Sequence, residues 1–214
     1  MPAKAVKRSR PSSARTSKRA PARRRNGATR PRDVIAVIKA DHDTVQGLFR
    51  RYKKLSSRAL KSRRNVAERI IKELSVHATA EEDVLYPVAR TTVPKGDELV
   101  REALGEHRSL KNALAALDKC PPDAPAFDDL MADIEKEVRD HVKEEEGPGG
   151  ILRELRKHAP REQLLRMAQL TRQAKQAAST RPHPKAPDTP PANIVVGAMA
   201  GMFDKARDKL ARRR

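Results

Sequence analysis

Apolar side chains recur every three or four residues through most of residues 33–180, which is the spacing of one face of an α-helix. No segment shows the strict alternation of a half-buried strand. Four long helices joined by short loops are typical of an antiparallel up-down four-helix bundle, so the predicted fold class is all-α. We predict helices over about 34–55, 65–86, 97–117 and 126–146, and a further helix over about 151–178 with a break at Pro160.

Turn-forming segments separate the predicted helices and read SSRALKSRRN, TTVPKGD, CPPDAP and GPGG. Asp33 is suited to cap the first helix, because an aspartate side chain can accept from the free amides of the first turn. We expect the second helix to end at Tyr86, because Pro87 disfavours helical geometry at the residue that precedes it.

Composition changes sharply at both ends of this helical body. Residues 1–32 are rich in Lys, Arg, Pro and Ser and almost lack apolar side chains, so we predict a disordered basic arm. The bundle and its additional helix span residues 33–180, and an extended Pro-rich linker follows over 181–193. Residues 194–214 predict a short amphipathic helix that is apolar first and basic later.

The net charge of +19 belongs mainly to these ends. Residues 1–32 hold 12 Lys and Arg and no acidic residue, whereas the body is nearly neutral. Such an arm favours polyanions, and it predicts non-specific binding to nucleic-acid phosphates. Two other interpretations stay open, a solubilising tail and an arm that binds acidic lipids or directs targeting. The candidate contacts to nucleic acid are Lys18, Arg19, Arg23, Arg24 and Arg25.

The predicted C-terminal helix could lie on a membrane surface or dock on its own bundle or on a partner, and we favour docking. No apolar run approaches the roughly 20 residues of a membrane span, and the N-terminus lacks the apolar core of a secretory signal. Cys120 is the only cysteine, which excludes an intrachain disulfide framework and a thiolate-rich metal site. We therefore expect a cytoplasmic, reducing environment.

Four histidines and two glutamates repeat in the order His, His-x3-Glu, His, His-x3-Glu. The interval from the first histidine to the third is almost the same as the interval from the second to the fourth. A repeat of metal-type side chains within a helical pattern indicates two helical hairpins that converge on one site. Imidazole and carboxylate ligands suit iron, manganese or zinc better than calcium or magnesium. The six residues are His42, His77, Glu81, His107, His141 and Glu145.

The predicted hairpins place the four histidines at one height in the bundle. A rise of ~1.5 Å per residue carries the chain up about 22 Å from His42 to the first turn and down about 21 Å to His77. His107 and His141 come level in the same way. Each His-x3-Glu pair shares a helix face with apolar residues and therefore points inward. Buried imidazoles and carboxylates need partners, and two metal ions with two histidines each and two bridging carboxylates would satisfy them.

Spacing alone does not decide which carboxylates take part. Glu73 and Glu137 lie four residues before the second and fourth histidines, so Glu-x3-His fits as well as His-x3-Glu. Glu82 and Glu144 are further carboxylates close to the pattern. The two remaining histidines fall outside the pattern and are interpreted as non-ligands; they are His158 and His183.

The stretches DHDTVQGLFRRYKKL, HATAEEDVLYPVA, EHRSLKNAL and HVKEEEG resemble the hemerythrin-like family, also called the HHE cation-binding domain. The resemblance covers roughly residues 33–150. It implies a four-helix bundle that holds a non-haem di-iron centre, and by this analogy the later glutamate of each pair is a ligand. The ligands that it implies are His42, His77, Glu81, His107, His141 and Glu145.

The chain departs from the oxygen-carrying hemerythrins at one ligand position. Those proteins have a further histidine four residues after the histidine of the third helix, where this chain has Lys111. We expect one iron to have fewer nitrogen ligands, which argues against simple reversible oxygen carriage. Tyr52 and Tyr86 could add a phenolate near the site, although tyrosine at this spacing is more often a core residue.

These features predict a metal protein with open coordination positions for a small diatomic molecule or a peroxide. It would bind, sense or detoxify oxygen species or nitric oxide, or handle iron. The alternative is a nucleic-acid-associated basic protein in which the bundle is a scaffold or stress sensor. A weak peroxidase or oxidase activity is a third hypothesis, and no acid–base pair beyond the ligands indicates a substrate for it.

Overall fold

The computed structural model describes residues 32–185, 204–205 and 208–209, and these ranges contain helices and no strand. A π-helical turn, Glu81–Leu85, joins α2 to α3 without a break. The all-α prediction is therefore confirmed, whereas the basic arm and most of the predicted C-terminal helix lie outside the described residues. The helices are α1 Val34–Tyr52, α2 Leu60–Ala80, α3 Tyr86–Thr92, α4 Gly96–Lys119, α5 Ala126–Glu146, α6 Ile151–His158 and α7 Arg161–Ala177.

Four helical rods form the predicted up-down bundle. They are α1, then α2 continued by the π turn and α3, then α4, and then α5. The additional helix is broken at Pro160 as predicted, and its second part, α7, packs along α1, α2 and the π turn. Helix α1 begins where Asp33 accepts a hydrogen bond from the amide of Ala36 at 3.0 Å, which is the predicted cap.

The prediction that the second helix ends at Tyr86 is wrong. The helical path runs through Pro87 to Thr92. Pro87 is the second residue of α3, and proline is tolerated in a first turn because the missing N–H would have no helical acceptor there. The π turn that precedes α3 changes the hydrogen-bond pattern just before Pro87, because the amide of Tyr86 donates to the carbonyl of Glu81, five residues earlier.

Two hydrophobic clusters fill the bundle, one at each end. The first joins the start of α1 to the π turn, α3, the first half of α4, α6 and α7 through residues such as Ile38, Leu104 and Leu155. The second joins the end of α1 to the α2, α4 and α5 segments near the opposite end through residues such as Val45 and Leu110. His42 follows Ile38 and precedes Val45, and His107 lies between Leu104 and Leu110. The predicted histidine layer is therefore enclosed between two apolar regions.

Residues from the predicted C-terminal helix contact the end of α7. Asp204 is 7% exposed and accepts hydrogen bonds from the amide of Arg181 and from the hydroxyl of Ser179. Asp208 accepts from the hydroxyl of Thr180 at 2.9 Å. These contacts agree with docking on the body, while the membrane-surface alternative stays untested. Among the helices that the structure describes, none is both long and apolar enough to cross a membrane.

Two glycines of α4 provide a test of the packing between α3 and α4. A Cβ on Gly96 would lie 2.3 Å from the carbonyl oxygen of Ala89, whereas a Cβ on Gly105 would meet no atom closer than 4.0 Å. We expect Gly96→Ala to lower the free energy of unfolding by about 1–3 kcal/mol through overpacking. The matched change Gly105→Ala should raise it by roughly 0.5–1 kcal/mol, because alanine favours a helix interior. Urea unfolding of both variants measures the difference, and equal effects would contradict the close approach at Gly96.

Candidate metal centre

The structure brings the six predicted ligand residues together in the layer between the two clusters. No one of them is more than 5% exposed. Four helical rods contribute a histidine each, and the glutamates come from the π turn and from the end of α5. That these residues bind metal stays a prediction, but their convergence fits the height argument made from the sequence.

The two glutamates lie between the inward-facing nitrogens of the histidines. Glu81 Oε2 lies 3.1 Å from His77 Nε2 and 3.3 Å from His107 Nε2. Glu145 Oε2 lies 3.6 Å from His42 Nε2 and 3.7 Å from His141 Nε2. All four imidazoles thus direct Nε2 toward two carboxylates, so the nitrogen and oxygen donors face a common centre.

The four rings fall into two close pairs. The ring centroids of His42 and His77 are 5.0 Å apart, and those of His107 and His141 are also 5.0 Å apart. Between the pairs, His141 lies 6.3 Å from His42 and 6.4 Å from His77. Each helical hairpin therefore presents one pair of imidazoles to the carboxylates.

A second set of carboxylates faces the outer nitrogens of the same rings. Three of them lie at hydrogen-bond distance from Nδ1, between 2.7 and 2.9 Å, and the fourth lies at 3.6 Å. A carboxylate at Nδ1 holds the ring proton there and leaves Nε2 as an electron-pair donor, which is the usual support of a metal-bound histidine. The pairs are His42 with Glu146, His77 with Asp41, His107 with Glu82, and His141 with Glu106.

These outer carboxylates form a cycle around the bundle, because each rod supplies a carboxylate to the histidine of a neighbouring rod. Only Glu82 among them was placed close to the pattern from the sequence, without a role. The outer carboxylates nevertheless follow the same sequence repeat as the histidines, since the interval from Asp41 to Glu106 is the same as that from the first ligand histidine to the third. The interval from Glu82 to Glu146 likewise equals that from the second ligand histidine to the fourth. Each of the four carboxylates is adjacent in sequence to a predicted ligand.

Lysines support three of the outer carboxylates. Lys39 pairs with Glu146, Lys175 with Asp41, and Lys111 with Glu82 at 2.8 Å. The fourth carboxylate, Glu106, is hydrogen-bonded to the carboxyl group of Glu144 instead. Lys111, which occupies the position of the further histidine in oxygen carriers, therefore acts on Glu82 and through it on His107.

Proton affinities in the layer differ strongly between chemically similar groups. Burial lowers the pKa of His42 to about 4. Burial also opposes charge on His77, but Glu81 and Asp41 outweigh this effect and raise the pKa of His77 to about 9. Burial and the neighbouring charge of Glu81 raise the pKa of Glu145 to about 7. Metal binding to such a set releases protons, because the ligand atoms must be deprotonated.

Tyr86 is the tyrosine that reaches the centre. Its hydroxyl lies 3.1 Å from His107 Nε2, 3.2 Å from Glu145 Oε1 and 3.4 Å from Glu81 Oε2. Residues five apart lie on different faces of a regular α-helix, and the π turn between Glu81 and Tyr86 brings them to one face. This π turn has no simple sequence signature, so a phenolate near the site and a core residue both stayed open for Tyr86, and the place of its hydroxyl was not predicted. Tyr52 instead donates to Asp128 at 2.6 Å.

The glutamates of the two possible spacings lie in different places. Glu81 and Glu145 lie in the layer, whereas Glu137 accepts from Ser109 at 3.3 Å and Glu73 lines a surface cleft. The two histidines interpreted as non-ligands lie outside the layer. The side chain of His158 is 41% exposed and lies 3.4 Å from Glu154, and His183 bonds to Asp204 at 3.1 Å.

The donor atoms of the layer fit a metal ion. Four buried atoms of the proposed ligands that face the centre have no hydrogen-bond partner, and each such orphan is costly in an apolar interior. One donor atom from each of His42, His77, Glu81 and His141 falls within 4.8 Å of the others. Nitrogen and carboxylate oxygen donors of this kind suit iron, manganese or zinc. The orphan atoms are His42 Nε2, His141 Nε2, Glu81 Oε1 and Glu145 Oε2.

The fold and the layer define a helical-bundle protein with a buried histidine and carboxylate cluster suited to a cation. Comparison with known proteins agrees, since the Hemerythrin HHE cation binding domain matches residues 33–147. The chain belongs to this family. The resemblance stated from the sequence motifs is thereby confirmed.

Two relatives and one solved structure are similar to the chain. The chain is 32% identical over 143 residues to an uncharacterised hemerythrin-like protein of Schizosaccharomyces pombe, which covers 64% of this chain and 68% of that protein. It is 33% identical over 114 residues to a DNA nickase of Nostoc, covering 53% of this chain but only 31% of the nickase. A crystal structure of a hemerythrin HHE cation binding domain-containing protein from Mycobacterium kansasii shares the fold with a TM-score of 0.56 at 22% identity, over 68% of this chain and 88% of that one.

The role of the outer carboxylates can be tested with two similarly exposed glutamates, of which only one should affect metal affinity. We expect Glu146→Ala to weaken metal affinity by about 10- to 100-fold, because the His42 ring loses the group that orients it. Glu135→Ala is the matched control on the same helix, since Glu135 is 24% exposed and pairs with Lys53, and Glu146 is 23% exposed. Competition with a chelator measures both affinities. Equal losses, or none in either variant, would contradict a supporting role for the outer carboxylates.

Proposed function

We propose that the layer is a non-haem di-iron centre of hemerythrin type, with His42, His77, Glu81, His107, His141 and Glu145 as its ligands. One observation carries the proposal: four imidazole nitrogens and two carboxylates face one another in a buried layer where several of their atoms have no other partner.

The two close pairs of imidazoles support two ions rather than one. His42 and His77 would hold one ion, and His107 and His141 the other, because the rings within each pair are 5.0 Å apart. Glu81 and Glu145 lie between the pairs and have enough oxygen atoms to serve both. Two histidines and shared carboxylates leave coordination positions free on each ion. We therefore propose that the centre accepts a small diatomic molecule or a peroxide.

The protein groups around the centre would orient the ligands and control access to it. Iron supplies redox chemistry and an open coordination site when it is bound. The outer carboxylates hold each Nε2 toward the centre, and the two apolar clusters exclude bulk water from the layer. The hydroxyl of Tyr86 donates a hydrogen bond to Glu145 Oε1 and lies 3.1 Å from His107 Nε2. This arrangement supports a protein that binds, senses or detoxifies oxygen species or nitric oxide, or handles iron.

Metal content tests the proposal directly. Protein produced in iron-supplied medium is expected to contain about two irons per chain and to show near-ultraviolet charge-transfer absorption. The double variant His77→Ala, His141→Ala should lose both signals, because each iron loses one of its two imidazoles. His158→Ala is the matched control, since this histidine is exposed and lies outside the layer. Elemental analysis with the optical spectrum gives the readout.

Two results would contradict the proposal. If the folded wild-type protein contains no iron and takes up none, the di-iron assignment is wrong. If the double variant retains iron at the wild-type level, these ligands are wrong. Circular dichroism of each variant separates loss of metal from loss of the fold.

A second candidate function is association with nucleic acid. Residues 1–32 carry 12 basic side chains and no acidic one, and one relative, the Nostoc protein, is a DNA nickase. The match covers less than a third of that relative, so we propose binding alone and no nicking activity. In this candidate the bundle is a scaffold or stress sensor, and the protein acts in the cytoplasm.

Neutralising the arm tests the second candidate. We expect Lys18, Arg19, Arg23, Arg24 and Arg25 together changed to Gln to weaken binding to duplex DNA. The plot of log affinity against log salt should become less steep by up to about 4 to 5 units, because each lost phosphate contact removes roughly 0.9. Fluorescence anisotropy at several salt concentrations measures both quantities. Unchanged affinity and slope would show that the arm makes no contact with DNA.

A further inference from the structure

The end of α1, the connection to α2 and the first turn of α2 together carry an unusual concentration of positive charge. Residues 50–64 contain eight Lys and Arg and no Asp or Glu, although the body as a whole is nearly neutral. The eight residues are Arg50, Arg51, Lys53, Lys54, Arg58, Lys61, Arg63 and Arg64.

Two of these eight side chains are used by the fold. Arg63 is 6% exposed, and its guanidinium lies over the ring of Tyr52 and pairs with Asp128 at 2.9 Å. Arg64 pairs with Glu68 at 3.0 Å and with Asp118 at 3.1 Å. These contacts fasten the connection to the loop between α4 and α5 and to the helix ends that flank it, and they engage two of the acidic side chains there.

The other six side chains, which we call the basic turn, are exposed. They are Arg50, Arg51, Lys53, Lys54, Arg58 and Lys61. Within the part of the chain that the structure describes, only Lys53 has an ion-pair partner, Glu135 at 2.7 Å. The turn therefore presents a net positive surface that the rest of the body does not neutralise.

The backbone holds this surface in a defined shape. The amide of Leu55 donates to the carbonyl of Tyr52 at 2.9 Å, and the amide of Ala59 donates to that of Ser56 at 2.9 Å. Exposed basic side chains continue along one face of α2 from Lys61 through Arg69 to Lys72. They cover about 16 Å at the rise of an α-helix. A row of cations of this length on a helix can span several phosphates of a nucleic-acid backbone.

We propose that the basic turn binds the phosphate backbone of double-stranded nucleic acid without sequence preference. The proposal rests on the nucleic-acid candidate above, but it assigns contacts to the folded body as well as to the N-terminal arm. Both tyrosines are buried, so the described surface offers no tyrosine ring on which unpaired bases could stack. Leu60, at 39%, is the one exposed large apolar residue of the turn, whereas a membrane-binding surface needs an apolar face.

Three full-length variants test the proposal against the wild type. The turn variant changes Arg51, Lys54, Arg58 and Lys61 to Gln. The arm variant is the one described above. The matched control changes the same number of exposed Lys and Arg residues elsewhere on the body to Gln, namely Arg101, Lys136, Arg139 and Arg166. Circular dichroism and iron content confirm that each variant keeps its fold and its centre.

The expected result is specific to the turn. At about 0.1 M salt the turn variant should bind duplex DNA roughly tenfold or more weakly than the control variant, and its salt slope should fall by about 2 to 4 units. The arm variant should lose affinity independently, and combining the arm and turn changes should reduce binding further than either set alone.

The contrary results are distinguishable. If the turn variant binds DNA like the control while the arm variant loses binding, the basic turn is not a nucleic-acid surface and the arm candidate stands. If the wild type does not bind duplex DNA even at about 0.05 M salt, both fail and the metal proposal is unaffected. If the turn changes abolish binding to phosphatidylserine vesicles but leave DNA affinity unchanged, the surface recognises lipid and the proposal is wrong.

Discussion

The structure depends on the burial of ionisable side chains in one layer between two apolar clusters. Glu81 is fully buried, and the histidines and Glu145 around it are nearly so. A layer of this kind is unfavourable unless every donor and acceptor has a partner. The outer nitrogens of the imidazoles are faced by carboxylates, three of them within hydrogen-bond distance, and the inner nitrogens and carboxylates face one another with orphan atoms remaining. A metal ion would give these orphan atoms a partner, so the buried donors that are costly in the apolar interior are the same ones that suit the layer to a cation.

The cycle of outer carboxylates also explains how four separate rods keep their register. Each rod carries a histidine and a carboxylate, and the carboxylate supports the histidine of a neighbour rather than one on its own rod. A slip of one helical turn in any rod would move its carboxylate by about 5.4 Å and would separate two of the four carboxylate–imidazole pairs. Apolar packing alone tolerates such shifts better, because it is non-directional. The polar layer therefore specifies the alignment, and the clusters on either side supply most of the apolar burial.

Much of this arrangement follows from the sequence, and the part that does not has identifiable causes. The four histidines could be placed at one height because helical rise and loop length are regular, and the break at Pro160 follows from proline chemistry. The continuation through Pro87 could not be foreseen, because it depends on a π turn that has no simple sequence signature. The same turn brings Tyr86 to the centre. Spacing alone left Glu73 and Glu137 open beside Glu81 and Glu145, since a helix face is wide enough to hold either spacing. The family resemblance implied the later pair, and the position of Glu81 and Glu145 in the buried layer agrees with it.

Helix α7 lies outside the family match, which ends at residue 147, yet it takes part in the centre. Lys175 of α7 pairs with Asp41, and Asp41 faces His77 at 3.6 Å, the longest of the four outer contacts. Lys39 and Lys111 support their carboxylates from rods of the bundle, whereas the support for Asp41 comes from an added element. The added helix is therefore part of the electrostatic environment of the His42 and His77 side of the centre, and the bundle alone does not account for that environment.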